Sequence, residues 1–488
     1  MASILSHIPS IPKPQLTHNF HIDNSNSPFL HHSLPKSLDR SARPVHPAET
    51  YNPVEFAHYP LPASLGPIKP PPLESTPFML VDDLVGLRYL AARLAAAREF
   101  AVDLEHNSYR SFQGLTCLMQ ISTRTEDFVV DTLQLRDHVG EYLGKFFSDP
   151  TKKKVMHGAI NDIIWLQRDF RVYVVNLFDT MQASRVMKLE RNSLAFLLKY
   201  FCGVDAKKEY QCSDWRLRPL PSDMVKYARE DTHYLLYIYD LMRKELFSGS
   251  RQPRSNDPLA EVYKKSHEVC LRMYEKELFC KETSYLFVHG LGDARLNSKE
   301  LAIVGGLFEW RDRVARKEDE STGYILPDKE LLEIAKKKPL YGREVLDLVG
   351  SGRPFVLRDV DEIIEIVWAA ICVHARKFEK VAKELNSGVP VSQIAAKIQE
   401  KKRMDEEKEK KMAIIHQQRD SEVLEIMACG PKGWSSIGAA QPTVTLIVQQ
   451  PMFTSSGWAT PRSCCHLSVV PTPPAQVCRC QAPHCGII

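Results

Sequence analysis

The sequence predicts an α/β domain on a mixed sheet, followed by an all-α bundle. Three observations carry that prediction. β-rich runs cluster between residues 99 and 131, and helical and strand patterns then alternate as far as residue 245. Beyond the polar, Pro-containing stretch from Ser248 to Pro258, only helical periodicity remains. Strands followed by alternating helices and strands indicate helices packed on a sheet that is not purely antiparallel. The 488 residues leave room for two or three domains at about 100–200 residues each. Hydrophobic residues make up 44% of the chain, enough for a sizeable core.

Residues 1–77 hold 15 of the 32 prolines, mixed with His, Ser and Asn. Such a composition cannot bury a core of its own and predicts a disordered or loosely extended segment. The aromatics between Tyr51 and Pro62 mark a part that lies against the folded domain. From Asp82 to Ala97, Leu84, Leu87, Leu90 and Leu94 recur at helical spacing. Glu99–Glu105, Leu115–Ser122 and Asp127–Asp131 read as strands, the last two joined by the polar turn Thr123–Glu126. The pattern then predicts a helix over 139–147, a strand over 154–157 and a helix over 161–168. A further strand is expected at 172–177, then helices at 180–187 and 194–200 and one long helix at 222–245. These elements make up a domain over residues 78–248. Residues 249–294 form a helical linker, amphipathic from Leu259 to Leu278. A helical domain follows at 295–377, marked by Leu307, Trp310, Val314 and Ala315, by Leu331, Leu332, Ile334 and Ala335, and by Ile363–Val373. Pro327 before Asp328 suits a helix start. Residues 378–428 are a charged, helix-prone segment with solvated mixed-sign pairs. Residues 429–488 form a disordered Cys/Pro-rich tail, and the spacing around Cys478 and Cys480 is not that of a standard zinc finger.

The bulk properties exclude several classes. A net charge of +4 does not announce a nucleic-acid binder, although a locally acidic site inside basic surroundings also sums to near neutrality. No run approaches the roughly 18 apolar residues of a membrane span, so no membrane partner is expected. The N-terminus lacks the charged start and apolar core of a secretory signal. Cys117, Cys202, Cys212, Cys270, Cys280 and Cys372 are scattered and read as reduced thiols.

Three short elements carry chemistry. In Asp103-Leu-Glu105, alternation sends both carboxylates to one surface of a strand and Leu104 to the other. Two acids side by side repel unless a cation lies between them. In Tyr227-Ala-Arg-Glu-Asp231, i and i+4 share a helical face, so a hydroxyl and a carboxylate project together. In His157-Gly-Ala-Ile-Asn-Asp162, a strand ends at a glycine and Asp162 falls in the first turn of a helix. Each element alone has an ordinary structural reading: a solvated strand end, a core tyrosine beside an exposed acid, and an acid complementing a helix dipole. Asp131 and Asp179 fit that last reading and are left outside the site.

Together, in this order, the three elements resemble the DEDDy 3′→5′ exonuclease superfamily. The segments Phe100-Ala-Val-Asp-Leu-Glu-His-Asn-Ser-Tyr-Arg-Ser-Phe112, Cys117-Leu-Met-Gln-Ile-Ser-Thr123, Asp162-Ile-Ile-Trp-Leu-Gln167, Asp214-Trp-Arg216 and Tyr227-Ala-Arg-Glu-Asp-Thr-His-Tyr-Leu-Leu236 are similar to the exosome-associated branch related to bacterial RNase D. The resemblance covers residues 78–377 and implies an RNase H-like sheet domain. It further implies that Asp103, Glu105, Asp162 and Asp231 bind metal and that Tyr227 orients the attacking water. Two Mg²⁺ or Mn²⁺ ions suit all-oxygen ligands and phosphodiester hydrolysis. In that scheme Asp103 bridges the ions, Glu105 and Asp231 hold the one carrying the nucleophile, and Asp162 holds the other. With a pKa near 10, Tyr227 orients water and is a poor base. His106, Asn107, Tyr109 and His157 are candidate contacts to the terminal nucleotide, against a background of ordinary packing. Trp165 and Trp215 read as core or support.

Leu307-Phe-Glu-Trp-Arg-Asp-Arg-Val-Ala-Arg-Lys-Glu-Asp-Glu-Ser321 and Gly323-Tyr-Ile-Leu-Pro327 resemble the HRDC domain, which implies a role in binding nucleic acid or partner subunits. Lys336–Lys338, Arg311, Arg313 and Arg316 offer a phosphate-facing surface or a solvated one. The expected activity is metal-dependent removal of nucleotides from RNA 3′ ends in RNA processing or degradation. A DNA exonuclease and a non-catalytic RNA-binding scaffold are the alternatives. Exosome core subunits are the protein partners the resemblance implies, and the nucleus the compartment. The cytoplasm is the alternative, because a Pro-rich segment stands where larger relatives carry a helical cofactor-binding domain.

Overall fold

The computed structural model describes residues 7–31, 34, 44–58, 66–247, 257–350 and 352–428. The Cys/Pro tail and most of the stretch from Ser248 to Pro258 lie outside the described residues.

Six strands form one sheet: β1 (Phe78–Val81), β2 (Glu99–Asn107), β3 (Leu115–Ser122), β4 (Asp127–Asp131), β5 (Lys153–Met156) and β6 (Leu177–Asp179). Their spatial order is β1-β4-β3-β2-β5-β6. The pairs β2–β3 and β3–β4 are antiparallel, as the short turns between them require. The pairs β1–β4, β2–β5 and β5–β6 are parallel, so the sheet is mixed.

Strand alternation sorts β2 into two faces. Val102 and Leu104 enter one core, beneath α1 (Leu84–Ala96), α2 (Arg136–Ser148) and α3 (Ile160–Phe170). Leu87, Leu90 and Leu94 of α1 meet Val139 and Leu143 of α2 and Ile163 and Leu166 of α3 there. A short helix α4 (Thr180–Val186) follows β6. Ala101 faces the opposite side, in a core closed by α6 (Leu235–Leu246) and α7 (Pro258–Cys270). Asp103 and Glu105 share that second side. There α5 (Ser222–His233) packs over β2, β3 and β4.

Several expectations need correction. The single helix over 222–245 is two, broken at Tyr234. The break lets α5 cover β3 and β4 while α6 covers β2 and β5. The strand expected at 172–177 starts only at Leu177. Val172, Val174 and Val175 are buried but unpaired in the sheet, and Asn176 turns the chain with φ of 57°. Their apolar run reports burial, not pairing. The helix expected to reach Leu278 stops at Cys270. Tertiary hydrogen bonds draw the backbone away: Gln167 Nε2 donates to Arg272 O at 2.7 Å, and Tyr274 N donates to Gln167 Oε1 at 2.8 Å. β1 was not anticipated. It is a four-residue edge strand following Pro77.

The Pro-rich N-terminal segment differs most from its expected disorder. Its described parts dock onto the folded domains. Lys13 Nζ donates to Glu318 O and Asp319 O at 2.5 and 2.8 Å, and Gln15 Nε2 donates to Arg110 O and Asp319 Oδ2 at 2.7 and 2.6 Å. Tyr51 and Phe56 pack against the first core, as the aromatic spacing suggested. Composition argues against a core of the segment's own. It does not argue against polar docking on surfaces built elsewhere.

The helical region centres on α8 (Ser298–Glu318), opened by a capping box between Asn297 and Glu300. Leu307, Trp310 and Val314 line its buried face. Around it lie α9 (Asp328–Lys337), α10 (Gly342–Val349), α11 (Val360–Ala369), α12 (Glu379–Asn386) and the start of α13 (Val391–Ala428). Ala382, Ile394 and Ala395 enter the same core, so the bundle runs past the expected boundary at residue 377. From Lys411 the described chain is the remainder of α13, exposed through Ser421. No helix among the described residues is long and apolar enough to cross a membrane.

Candidate active site

The two carboxylates of β2 meet the polar face of α5. Asp103, Glu105 and Asp231 each offer an oxygen, and these oxygens lie within 4.8 Å of one another. Glu105 and Asp231 are buried, and Asp103 is half-buried. Asp162, in the first turn of α3 and also buried, stands outside this 4.8 Å group but close enough for its charge to act on Glu105 and for that of Asp103 to act on it. The cluster has two geometric sources. Period-2 alternation pairs Asp103 with Glu105, and a bulge after Glu105 shifts the register with β3, so that His106 pairs Thr116. Tyr227 and Asp231 share a face of α5, and the Tyr227 hydroxyl hydrogen-bonds the Asp231 carboxylate.

Electrostatics set this site apart. Burial raises the Asp103 carboxyl to about 7. Burial raises Glu105 well above the carboxylate range, and Asp103, Asp231 and Asp162 add repulsion. Asp162 and Asp231 are raised by burial and then by Asp103. Among the described residues no lysine, arginine or histidine offsets the charge of these four carboxyls. Asp169 shows the contrast: Arg136 and Arg168 overcome its burial and hold it well below the usual range. Four oxygen donors with no cation of their own make a site suited to hard divalent ions. Burial and the same acids push Tyr227 upward, so its hydroxyl stays protonated.

The substrate-contact candidates divide. His106 follows Glu105 in β2 and is stacked on Trp165 with centroids 4.2 Å apart and 4° between planes. Asn107 turns inward: its Nδ2 donates to Asp214 Oδ1 at 3.2 Å, and its Oδ1 accepts from the Tyr109 and Arg110 amides. It shapes the loop rather than facing the site. Tyr109 lies where the two domains meet, edge-on to Tyr324 at 5.4 Å and to His7 at 4.9 Å. His157 is tied to Thr180 Oγ1 at 2.9 Å, and burial lowers it to about 4. Trp215 is buried, 5.9 Å from the Tyr227 ring.

Supporting residues escaped the sequence reading. Gln120 Nε2 donates to Glu105 Oε1 at 3.2 Å across the β2–β3 ladder. Asp179 accepts from Gly158 N and Ala159 N at 2.8 and 3.1 Å, fixing the turn that starts α3 and so aims Asp162. Gln120 was detectable as an amide within the apolar run from Cys117 to Ile121. Asp131 has a structural role, paired with Arg218.

A family model described as 3′-5′ exonuclease matches residues 78–247, and an HRDC domain model matches residues 300–367. Protein RRP6-like 1 of Arabidopsis thaliana is 53% identical over 401 residues, covering 82% of this chain and 62% of that protein. Exosome complex component 10 of Rattus norvegicus is 43% identical over 427 residues, covering 79% of this chain and 48% of that protein. The chain thus spans from about half to three-fifths of the length of these relatives. The crystal structure of the catalytic core of RRP6 from Trypanosoma brucei is similar with a TM-score of 0.65 and 36% identity, covering 74% of this chain and 99% of that one.

Proposed function

The chain belongs to the RRP6 family of 3′→5′ exonucleases that carry an HRDC domain, and from that premise we propose that it shortens RNA from the 3′ end by hydrolysis, releasing nucleoside 5′-monophosphates. The observation that carries this reading is the convergence of Asp103, Glu105 and Asp231 within 4.8 Å, joined by Asp162 and Tyr227.

Asp103, Glu105, Asp162 and Asp231 would hold two divalent ions, Mg²⁺ or Mn²⁺. When bound, such ions supply an activated water and relieve charge on the leaving oxygen. The protein's own groups do the rest. Burial of the carboxylates excludes bulk water from the scissile phosphate, which strengthens charge interactions there. The Tyr227 hydroxyl, kept protonated, donates to Asp231, so its oxygen orients the attacking water by accepting from it and does not act as the base. Gln120 holds one oxygen of Glu105. The HRDC bundle meets the Tyr109 loop, so a single strand entering the site would pass residues of both domains. The name of the mammalian relative, exosome complex component 10, supports association with exosome core subunits, and the nucleus, for RNA processing or degradation, is the compartment the family resemblance implies. The cytoplasm is the alternative.

The test is incubation with 5′-labelled single-stranded RNA and DNA of one sequence, in Mg²⁺, Mn²⁺ or EDTA. The proposal expects a metal-dependent ladder, with RNA degraded faster than DNA. Faster loss of DNA supports a DNA exonuclease. RNA retained without cleavage by folded protein supports a scaffold.

A further inference from the structure

The face of α3 that delivers Asp162 carries two more polar or aromatic groups at helical spacing, Trp165 and Arg168. Both meet His106, which follows Glu105 at the bulge of β2. Trp165 lies flat against the imidazole. Arg168 Nη2 lies 3.2 Å from His106 Nε2. A guanidinium has donors only, so Nε2 must accept this hydrogen bond. A neutral imidazole that accepts through Nε2 carries its proton on Nδ1. Among the described residues, Nδ1 has no hydrogen-bond partner.

Arg168 is itself held from several sides. Its Nε donates to Asp169 Oδ1 at 2.7 Å and its Nη2 to Asp169 Oδ2 at 2.8 Å. Its Nη1 donates to Gln113 O. The fully buried Asp169 carboxylate also accepts from Thr116 N and Oγ1, at 2.9 and 2.7 Å, and from Arg136 Nη2 at 2.8 Å. Gly114 completes the slot. It has φ of 80°, and a Cβ there would come within 2.3 Å of the His106 ring. A salt-bridge network thus fixes the arginine, a tryptophan fixes the plane of the ring, and a glycine leaves room for it.

We propose that Arg168 is a positioning residue that holds His106 as its Nδ1–H tautomer, stacked on Trp165, with Nδ1–H free to donate to the terminal nucleotide at the acid cluster. The donation to a nucleotide rests on the exoribonuclease reading, whereas the tautomer does not. The general rule is that the hydrogen bond at one imidazole nitrogen sets what the other can do.

The experiment uses the full chain labelled with ¹⁵N in its histidine rings, His106 being assigned by loss of its signals in His106→Gln. In the wild type, Nδ1 should report as protonated and Nε2 as bare. Arg168→Met should give a tautomer mixture and raise KM for single-stranded RNA about 3- to 10-fold, the loss of one hydrogen bond, with a smaller change in kcat. Arg168→Lys, which keeps a cationic donor, should recover part of both signals. A wild-type His106 protonated at Nε2 overturns the proposal without any variant having to fold. So does a folded Arg168→Met protein with unchanged tautomer or unchanged KM. A wild type with the Nδ1–H signal but no RNA cleavage would count against the exoribonuclease reading and the nucleotide contact, leaving the tautomer assignment intact.

Discussion

Tyr109 of the sheet domain and Tyr324 of the helical bundle meet edge to face, with ring centroids 5.4 Å apart. The contact is reinforced on both sides. Arg110 lies 4.2 Å over the Tyr324 ring and forms a two-pronged ion pair with Glu320 at 2.8 and 2.9 Å. Ser321 Oγ donates to Tyr109 O at 2.9 Å. The bundle therefore holds the loop that leaves the acid-bearing strand.

An aromatic pair of this kind contributes about 0.5–1.5 kcal/mol. Tyr324→Ala is expected to weaken single-stranded RNA binding about 2- to 10-fold while leaving kcat nearly unchanged, as the loop loses its support away from the acids. Binding titrations alongside saturation kinetics check this. An equal fall in kcat with unchanged affinity would contradict it.

Repulsion among the acids should be measurable as instability of the metal-free protein. Burial raises Asp103 from 3.8 to about 7, so above about pH 4 the folded form retains a proton that the unfolded chain releases. The stability contributed by that proton is fully present below pH 3.8 and is lost as pH rises through about 7. Asp103→Asn removes this titration. In EDTA, the variant should be more stable than wild type near pH 8, and the gap should shrink near pH 5. Divalent ions should raise the wild-type melting temperature far more than the variant's, with release of protons. Denaturation at the two pH values, with and without Mn²⁺, measures each quantity.

Asp179 accepts from the backbone of Gly158, Ala159 and Met181. Asp179→Ala leaves those buried donors unpaired, at a cost of about 2 kcal/mol, and frees the turn that aims Asp162. A misplacement of about 1 Å can cost about 10²-fold. The expected result is a folded, less stable protein whose kcat falls by one to two orders of magnitude, read by thermal melts and single-turnover assays. Near wild-type kcat would sink the idea that this turn aims Asp162.

The docked N-terminal segment converges on Asp319, which adopts φ of 48° at the end of α8. Its carboxylate accepts from Gln15 and Asn24 of the segment and from Ser111 and Phe112 of the sheet domain. Asp319→Ala is expected to destabilise the protein by about 2–3 kcal/mol and to increase protease cleavage within residues 7–26. Asp319→Asn, which tolerates the left-handed backbone, should do less. Limited proteolysis with chemical denaturation compares the two.

The legible parts of this molecule were those written at short range. Asp103 and Glu105 follow from alternation, and Tyr227 and Asp231 from one helical turn, so their shared surfaces could be read from spacing. The pairing of β3 with β4 followed from the polar turn Thr123–Glu126 between them. Arg168 could not be read in this way, because its partner His106 is 62 residues away. The valines at 172, 174 and 175 announced burial, but pairing depends on neighbours the local sequence does not contain. The break at Tyr234 lies inside a helix-compatible stretch and is set by what each half packs against. The N-terminal segment has no core, and its order comes from Asp319, Arg110 and Glu318, all far along the chain.

The central claim is tested most directly by the products from a 5′-labelled single-stranded RNA treated with wild type and Asp103→Asn, both shown to be folded, in Mg²⁺. The account predicts a ladder of labelled fragments shortening one nucleotide at a time in the wild type, and full-length RNA in the variant. Immediate release of a labelled mononucleotide, or an undiminished ladder from Asp103→Asn, would contradict it.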